Sequence, residues 1–246
     1  MCDGCGCKTA ANPGAPASRQ SGRVVEVNRS VLEANQAQAR ENRREIEALG
    51  AVALNLISGP GSGKTTLLER TIDRLGAELR LGVIEGDIET DRDAARIRAR
   101  GVPVVQLTTG GACHLDAPLV HQGIEGLKHQ LSGGGLDILF IENVGNLVCP
   151  AAFDLGEHER VVLVSVPEGP DKPAKYPRAF ISSQVFVITK TDLLPYFDFP
   201  VQEAEAEALR LNPGLRVISL SAVTGERMDR WIAYLRSLSG GNRRGG

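Results

Sequence analysis

Ser58 to Thr66 read SGPGSGKTT, placed directly after VALNLI and running into TTLLERTIDRL. A short apolar run, a glycine-rich turn and a helical run meeting at a lysine fix a strand, a loop and a helix N-terminus in that order. Gly61, Ser62, Gly63, Lys64, Thr65 and Thr66 match the end of a phosphate-binding loop, with Ser58 standing where the strict pattern has its first glycine. The glycines let successive backbone N–H groups turn inward, and the helix adds its positive end. The Lys64 ammonium then bridges β- and γ-phosphates, and the Thr65 hydroxyl is the expected ligand of Mg²⁺. The competing reading, a glycine-rich turn with an incidental lysine, does not account for the strand and helix on either side.

The remainder of the chain supplies the sheet that such a loop needs. VALNLIS, LRLGVIE, VPVVQLT, DILFIEN, VVLVSV, VFVIT and LRVISL are short apolar runs, most of them separated by helical stretches. That alternation predicts an α/β fold, a mainly parallel sheet with helices on both faces. Ser30 to Leu49 reads as a weakly amphipathic helix stopped by Gly50, and MDRWIAYLRSL as a closing helix that packs its single Trp on the sheet. Residues 8 to 22 are rich in Ala, Gly, Ser and Pro and predict a tether. The division expected is a tail over 1–22, a nucleotide-binding domain over 23–240 and a polar tail over 241–246. With a net charge of −2, no apolar run of membrane-spanning length and no signal-like start, the expectation is a cytoplasmic protein, with neither nucleic acid nor membrane as partner. The basic runs RENRR and DRDAARIRAR are interrupted by carboxylates and read as solvated helix faces.

Base choice is read from the loops after the last two strands. Asp192, in TKTD, accepts from guanine N1–H and N2–H₂ but meets the adenine N1 acceptor unfavourably, so it selects GTP. Lys190 lies along the base, and amides around Ser221 and Ala222 donate to O6. Thr189 stands where such a loop usually begins with Asn and retains one local hydrogen bond. For catalysis, Asp87 and Glu142 are the acids placed at strand ends to hold Mg²⁺, with Asp93 as a second candidate and Asp91 on the surface. Gly145 sits where the chain can sense the γ-phosphate, and no Gln follows to orient water, so intrinsic hydrolysis is expected to be slow.

Five cysteines form two groups. Cys2, Cys5 and Cys7, in MCDGCGC, can wrap one soft ion because the intervening glycines permit tight turns. Zinc, nickel and copper(I) all suit them, and the alternative is thiols with no particular role, redox chemistry included. Cys113, His114 and Cys149 follow predicted parallel strands, whose C-terminal ends converge on the nucleotide side. They form a second candidate metal site, against the reading of one buried cysteine and one exposed histidine. His121, His129 and His158 show no partner pattern and read as surface or helical residues.

CDGCGC, GPGSGKTT, EGDIETDRDA, TTGGACHLDA, IENVGNLVCP, TKTDLLPY and SLSAVTGE together resemble the hydrogenase nickel-incorporation GTPases, the HypB family. The resemblance covers essentially the whole chain, and CHLDA with ENVGNLVCP is its specific part; Thr189 and the absence of a histidine tract are departures. It implies a SIMIBI-type P-loop G domain that binds GTP/GDP and Mg²⁺. It further implies GTP-controlled delivery of Ni²⁺ to the large subunit of nickel–iron hydrogenase, a GTP-dependent homodimer, and a small zinc-containing nickel accessory protein as partner. By the same resemblance the tail nickel site falls on Cys2, Cys5 and Cys7, and a nickel or Zn²⁺ site on Cys113, His114 and Cys149. A urease accessory GTPase, a metal buffer and a small-molecule kinase are the other readings. They differ in carrying Cys-Pro-His, in lacking GTP turnover, and in preferring ATP with an acceptor.

Overall fold

A computed structural model describes residues 20–87 and 92–242, with side chains over 30–87 and 92–240. Cys2, Cys5, Cys7, Asp91 and the last four residues lie outside the described residues. The seven apolar runs form seven strands: β1 (Val52–Ser58), β2 (Leu81–Asp87), β3 (Val104–Thr108), β4 (Ile138–Gly145), β5 (Glu159–Ser165), β6 (Val185–Thr189) and β7 (Arg216–Ser219). They pair in parallel in the order β3-β2-β4-β1-β5-β6-β7, which puts the P-loop strand at the centre. Their high Val, Ile and Leu content follows from burial on both faces.

The helices are α1 (Gln20–Ala48), α2 (Lys64–Leu75), α3 (Arg92–Arg98), α4 (Ala117–Leu131), α5 (Lys172–Lys175), α6 (Pro177–Ile181), α7 (Val201–Leu211) and α8 (Met228–Asn242). On one face, Leu67, Leu68 and Ile72 of α2, Ile97 of α3 and Trp231 of α8 close over Leu54, Leu56, Phe140 and Val187. The Trp231 indole N–H donates to the Thr71 hydroxyl at 2.9 Å, so the ring is a satisfied core residue. The other face holds two clusters. Ile46, Val120, Ile124 and Leu127 cover Ala53, Ile84, Leu139 and Ile141, while Ala179, Phe180 and Ala204 cover Val162, Val164 and Phe186.

Helix α1 starts at Gln20, ten residues before the predicted Ser30 and inside the stretch expected to be tether. The chain divides into two compact units after Ala34; the first holds the opening half of α1, and the second holds the sheet. Within the second unit, buried Asn42 donates to the carbonyls of Ala117 (2.8 Å) and Leu155 (3.0 Å), a pairing that a buried amide requires. His158 departs from its reading as a surface or helical residue: its Nδ1 accepts the Ala53 N–H at 3.0 Å, beside the start of β1. Burial, reinforced by Arg43, holds its imidazole below the ordinary histidine range.

Candidate nucleotide and metal sites

The loop Gly59–Gly63 turns from β1 into α2 through left-handed glycines, φ 74° at Gly61 and 92° at Gly63, a region that side chains rarely adopt. Gly63 caps α2 without a side-chain hydrogen bond, so no capping side chain occupies the first-turn amides. Lys64 is buried, donates to Ser58 Oγ at 2.8 Å, and is pulled below the ordinary lysine range by desolvation, with Glu142 and Glu85 opposing. Ser58 thus replaces the strict pattern's glycine with a hydroxyl that accepts from Lys64 and donates to the Gly59 carbonyl. A cavity of about 440 Å³ opens above, lined by Pro60 through Thr66 and by Glu85, Asp87, Asp93, Arg96, Glu142, Gly145 and Lys190.

Thr65 donates to Glu142 Oε1 at 2.8 Å, bringing together two residues expected around magnesium. Glu85, Asp93 and Glu142 offer oxygens within 4.8 Å of one another, and the second oxygens of Glu85 and Glu142 are buried without a hydrogen-bond partner. Burial and mutual repulsion push Glu85 up to about 8; burial, opposed by Lys64 and Thr65, pushes Glu142 up to about 7. Unsatisfied oxygens beside a threonine hydroxyl fit a hard divalent cation. Asp87 lines the same cavity but stands outside this carboxylate group.

Three residues of the site escaped the sequence reading. Glu85 sits in what reads as an apolar strand; its register partner in the parallel β2–β4 pairing is Glu142, which only the sheet order reveals. Glu168, in the 3-10 turn that follows β5, accepts from Ser62 Oγ (2.6 Å) and from Ser165 N (2.8 Å), bracing the phosphate loop from beside the neighbouring strand. Arg96 of the basic run is no plain solvated face: it lines the cavity and pairs with Glu69 at 2.5 Å and Asp93 at 2.9 Å. The other run conforms more closely, with Arg44 pairing with Glu41 at the surface.

The base-reading residues are divided. Lys190 takes φ 59°, lines the cavity and donates to the Gly61 carbonyl at 2.8 Å. Thr189 does make its local bond, to the Ser62 carbonyl at 2.7 Å, tying β6 to the phosphate loop. Asp192 Oδ1 is buried without a hydrogen-bond partner, which suits a base edge. The Ser221 amide, however, donates to the Glu226 carbonyl at 3.0 Å and is spent there, and Ala222 lines a separate cavity with Arg70 and Arg74. Of the amides assigned to O6, that of Ser221 is therefore corrected to a turn-forming role.

On the opposite side of β4, Cys113, His114 and Cys149 bring their ligand atoms within 4.8 Å of one another. The sulfurs lie 2.9 Å apart, with neither cysteine in a disulfide, and Cys113 Sγ is 3.8 Å from His114 Nδ1. Burial lowers the His114 pKa, favouring the neutral imidazole that binds metals, and the ring stacks on Phe153 at 4.1 Å. Two thiols and an imidazole form a set for a soft or borderline ion such as nickel or zinc. A third mixed group, Glu45, His121 and Glu125, has Lys128 2.6 Å from Glu125 and 3.4 Å from Glu45, so an ammonium supplies its positive charge.

With this geometry in hand, comparison with known proteins gives one direction. The profile of the CobW/HypB/UreG nucleotide-binding domain matches residues 53–219. The hydrogenase maturation factor HypB of Azotobacter chroococcum mcd 1 is 53% identical over 226 residues, covering 92% of this chain and 72% of that protein. Among solved structures, HypB from Helicobacter pylori in complex with nickel superposes with a TM-score of 0.81 at 38% identity, covering 85% of this chain and 96% of that one. The signal recognition particle 54 kDa protein of Aeropyrum pernix, with a TM-score of 0.51 at 17% identity, covering 78% of this chain and 49% of that one, shares the fold.

Proposed function

The chain belongs to the CobW/HypB/UreG family and, within it, to the HypB proteins, and from that premise we propose that it is a GTP-hydrolysing nickel metallochaperone. Its cargo goes to the large subunit of nickel–iron hydrogenase, directly or through a small zinc-containing accessory protein. The observation that carries the reading is the convergence of Cys113, His114 and Cys149, after β3 and β4, at the same C-terminal edge of the parallel sheet as the phosphate loop after β1. Nucleotide binding alone would not require thiols there, and metal storage would not require a phosphate loop.

In this reading the amides of Gly61 to Thr66 and the Lys64 ammonium hold the phosphates. Asp192 accepts from the guanine edge, with Lys190 along the base. Thr65 and Glu142, with Glu85 and Asp93 close by, are the residues that would hold Mg²⁺, and the ion would supply neutralisation of phosphate charge. Asp87 is retained as a candidate to position water or the cation. Hydrolysis is slow because no Gln follows Gly145, and a second copy of the chain completes the site. Cys2, Cys5 and Cys7 form an independent nickel site in the sequence before α1, and the body site exchanges nickel or zinc as nucleotide state changes.

Lys64→Ala tests this directly. GTP turnover and hydrogenase maturation in a complemented host are expected to vanish, while metal binding by the tail persists. Maturation that survives the substitution would leave only a metal buffer.

A further inference from the structure

The segment joining the two sites is Glu142 to Cys149, and it contains two asparagines whose side chains bracket a metal ligand. Strand alternation sends Glu142 to the Thr65 side of the sheet and Asn143 to the other. Buried Asn143 accepts the Leu115 N–H at 3.1 Å through Oδ1 and donates to Asn55 Oδ1 at 3.3 Å. Asn146 donates to the Cys113 carbonyl at 3.2 Å and accepts the Val148 N–H at 2.9 Å. The residues held are therefore those immediately before and after His114, together with the neighbour of Cys149. The backbone of Asn146 also bridges Ser58, the residue that binds Lys64. Between the two asparagines, Gly145 lies so close to the loop that a Cβ there would stand 2.9 Å from Pro60 Cα.

We propose that Asn146, supported by Asn143, is a positioning residue for the metal site: it clamps the Cys113 and Cys149 segments to the strand end that abuts the phosphate loop. The inference rests on the nickel reading above for the identity of the cargo. Partners that orient metal ligands commonly contribute 10- to 100-fold to affinity. A displacement at Gly145 or Ser58 reaches both thiol-bearing segments through this one side chain, with no intervening loop.

The test uses the full chain with Cys2, Cys5 and Cys7 replaced by Ala, so that only the body site reports. Ni²⁺ affinity is measured by competition with a chelator, and Co²⁺ absorption reports thiolate geometry, each with GDP and with a non-hydrolysable GTP analogue. Asn146→Ala is expected to weaken Ni²⁺ binding about tenfold, alter the Co²⁺ spectrum and bring the two nucleotide states to equal affinity. Asn146→Ser retains a hydroxyl for the local turn to Val148 but is too short to reach Cys113. It is expected to behave like the alanine variant. Wild-type affinity and spectrum in Asn146→Ser would overturn the proposal, because the asparagine would then be only a turn former. If the unsubstituted body site binds Ni²⁺ equally with both nucleotides, nucleotide control fails, and the Asn146 affinity loss still decides the clamp.

Discussion

At the scale of single residues, much of the chemistry was legible because it depends on local order. Lys64 and Thr65 stand together as their motif spacing requires, and Glu142, expected at a strand end, meets them because β4 pairs with β1. Asp192→Asn tests the guanine reading: the amide cannot accept two protons from N1 and N2, and GTP affinity should fall about 10- to 100-fold. Affinity for xanthosine triphosphate, which carries a carbonyl at that edge, should rise, and competition binding with both nucleotides checks it. Glu85 was not legible, since its meaning comes from lying opposite Glu142 on a strand brought beside it by a crossover. His158 carries a pH prediction. Its folded pKa lies below the unfolded value, so the folded state excludes a proton, and the associated stability is complete above about 6.5 and lost as pH falls. His158→Asn keeps an acceptor for the Ala53 N–H without titrating. Thermal unfolding of the variant should fall less steeply than wild type between about pH 7 and 5; parallel curves would remove His158 from the account.

At the scale of elements, all seven strands were legible because each is a compact apolar run bounded by turns or helices. Their lateral order was not, because nothing in the runs says that β1 lies between β4 and β5. The beginning of α1 was misplaced for a local reason: its first turns, QSGRVVEVNR, are rich in weak helix formers (Ser21, Gly22 and three β-branched valines) and follow an Ala-, Gly- and Pro-rich stretch, although Val24, Val27 and Val31 keep a helical spacing. Two elements are joined by one hydroxyl, that of Thr189 at the end of β6, which donates to Ser62 in the phosphate loop. Thr189→Val leaves the Ser62 carbonyl buried without that donor, a loss of about 1–3 kcal/mol. The expected outcome is GTP and GDP affinity reduced in parallel by about tenfold or more, read by fluorescent-nucleotide titration. Gly145→Ala drives a methyl into Pro60, so it should impair nucleotide binding and shift the metal site's Co²⁺ spectrum in one variant. A spectrum left unchanged would separate the two sites.

At the scale of the whole molecule, a central strand carries the phosphate loop, and β4 presents Glu142 on one side, with Asn143 on the other side and Asn146 just past its C-terminal end, where they hold the cysteine segments. The two-site arrangement was legible as a coincidence of scarce residues, Cys and His, in loops after predicted strands. Their meeting within 4.8 Å required the fold. The central claim is that nucleotide state sets metal affinity at Cys113, His114 and Cys149. Equilibrium dialysis of Ni²⁺ against the full chain with Cys2, Cys5 and Cys7 replaced measures it most directly, with GDP in one arm and a non-hydrolysable GTP analogue in the other. The account predicts affinities that differ by about fivefold or more and a difference that disappears in Cys149→Ser. Equal affinities in both arms would contradict it.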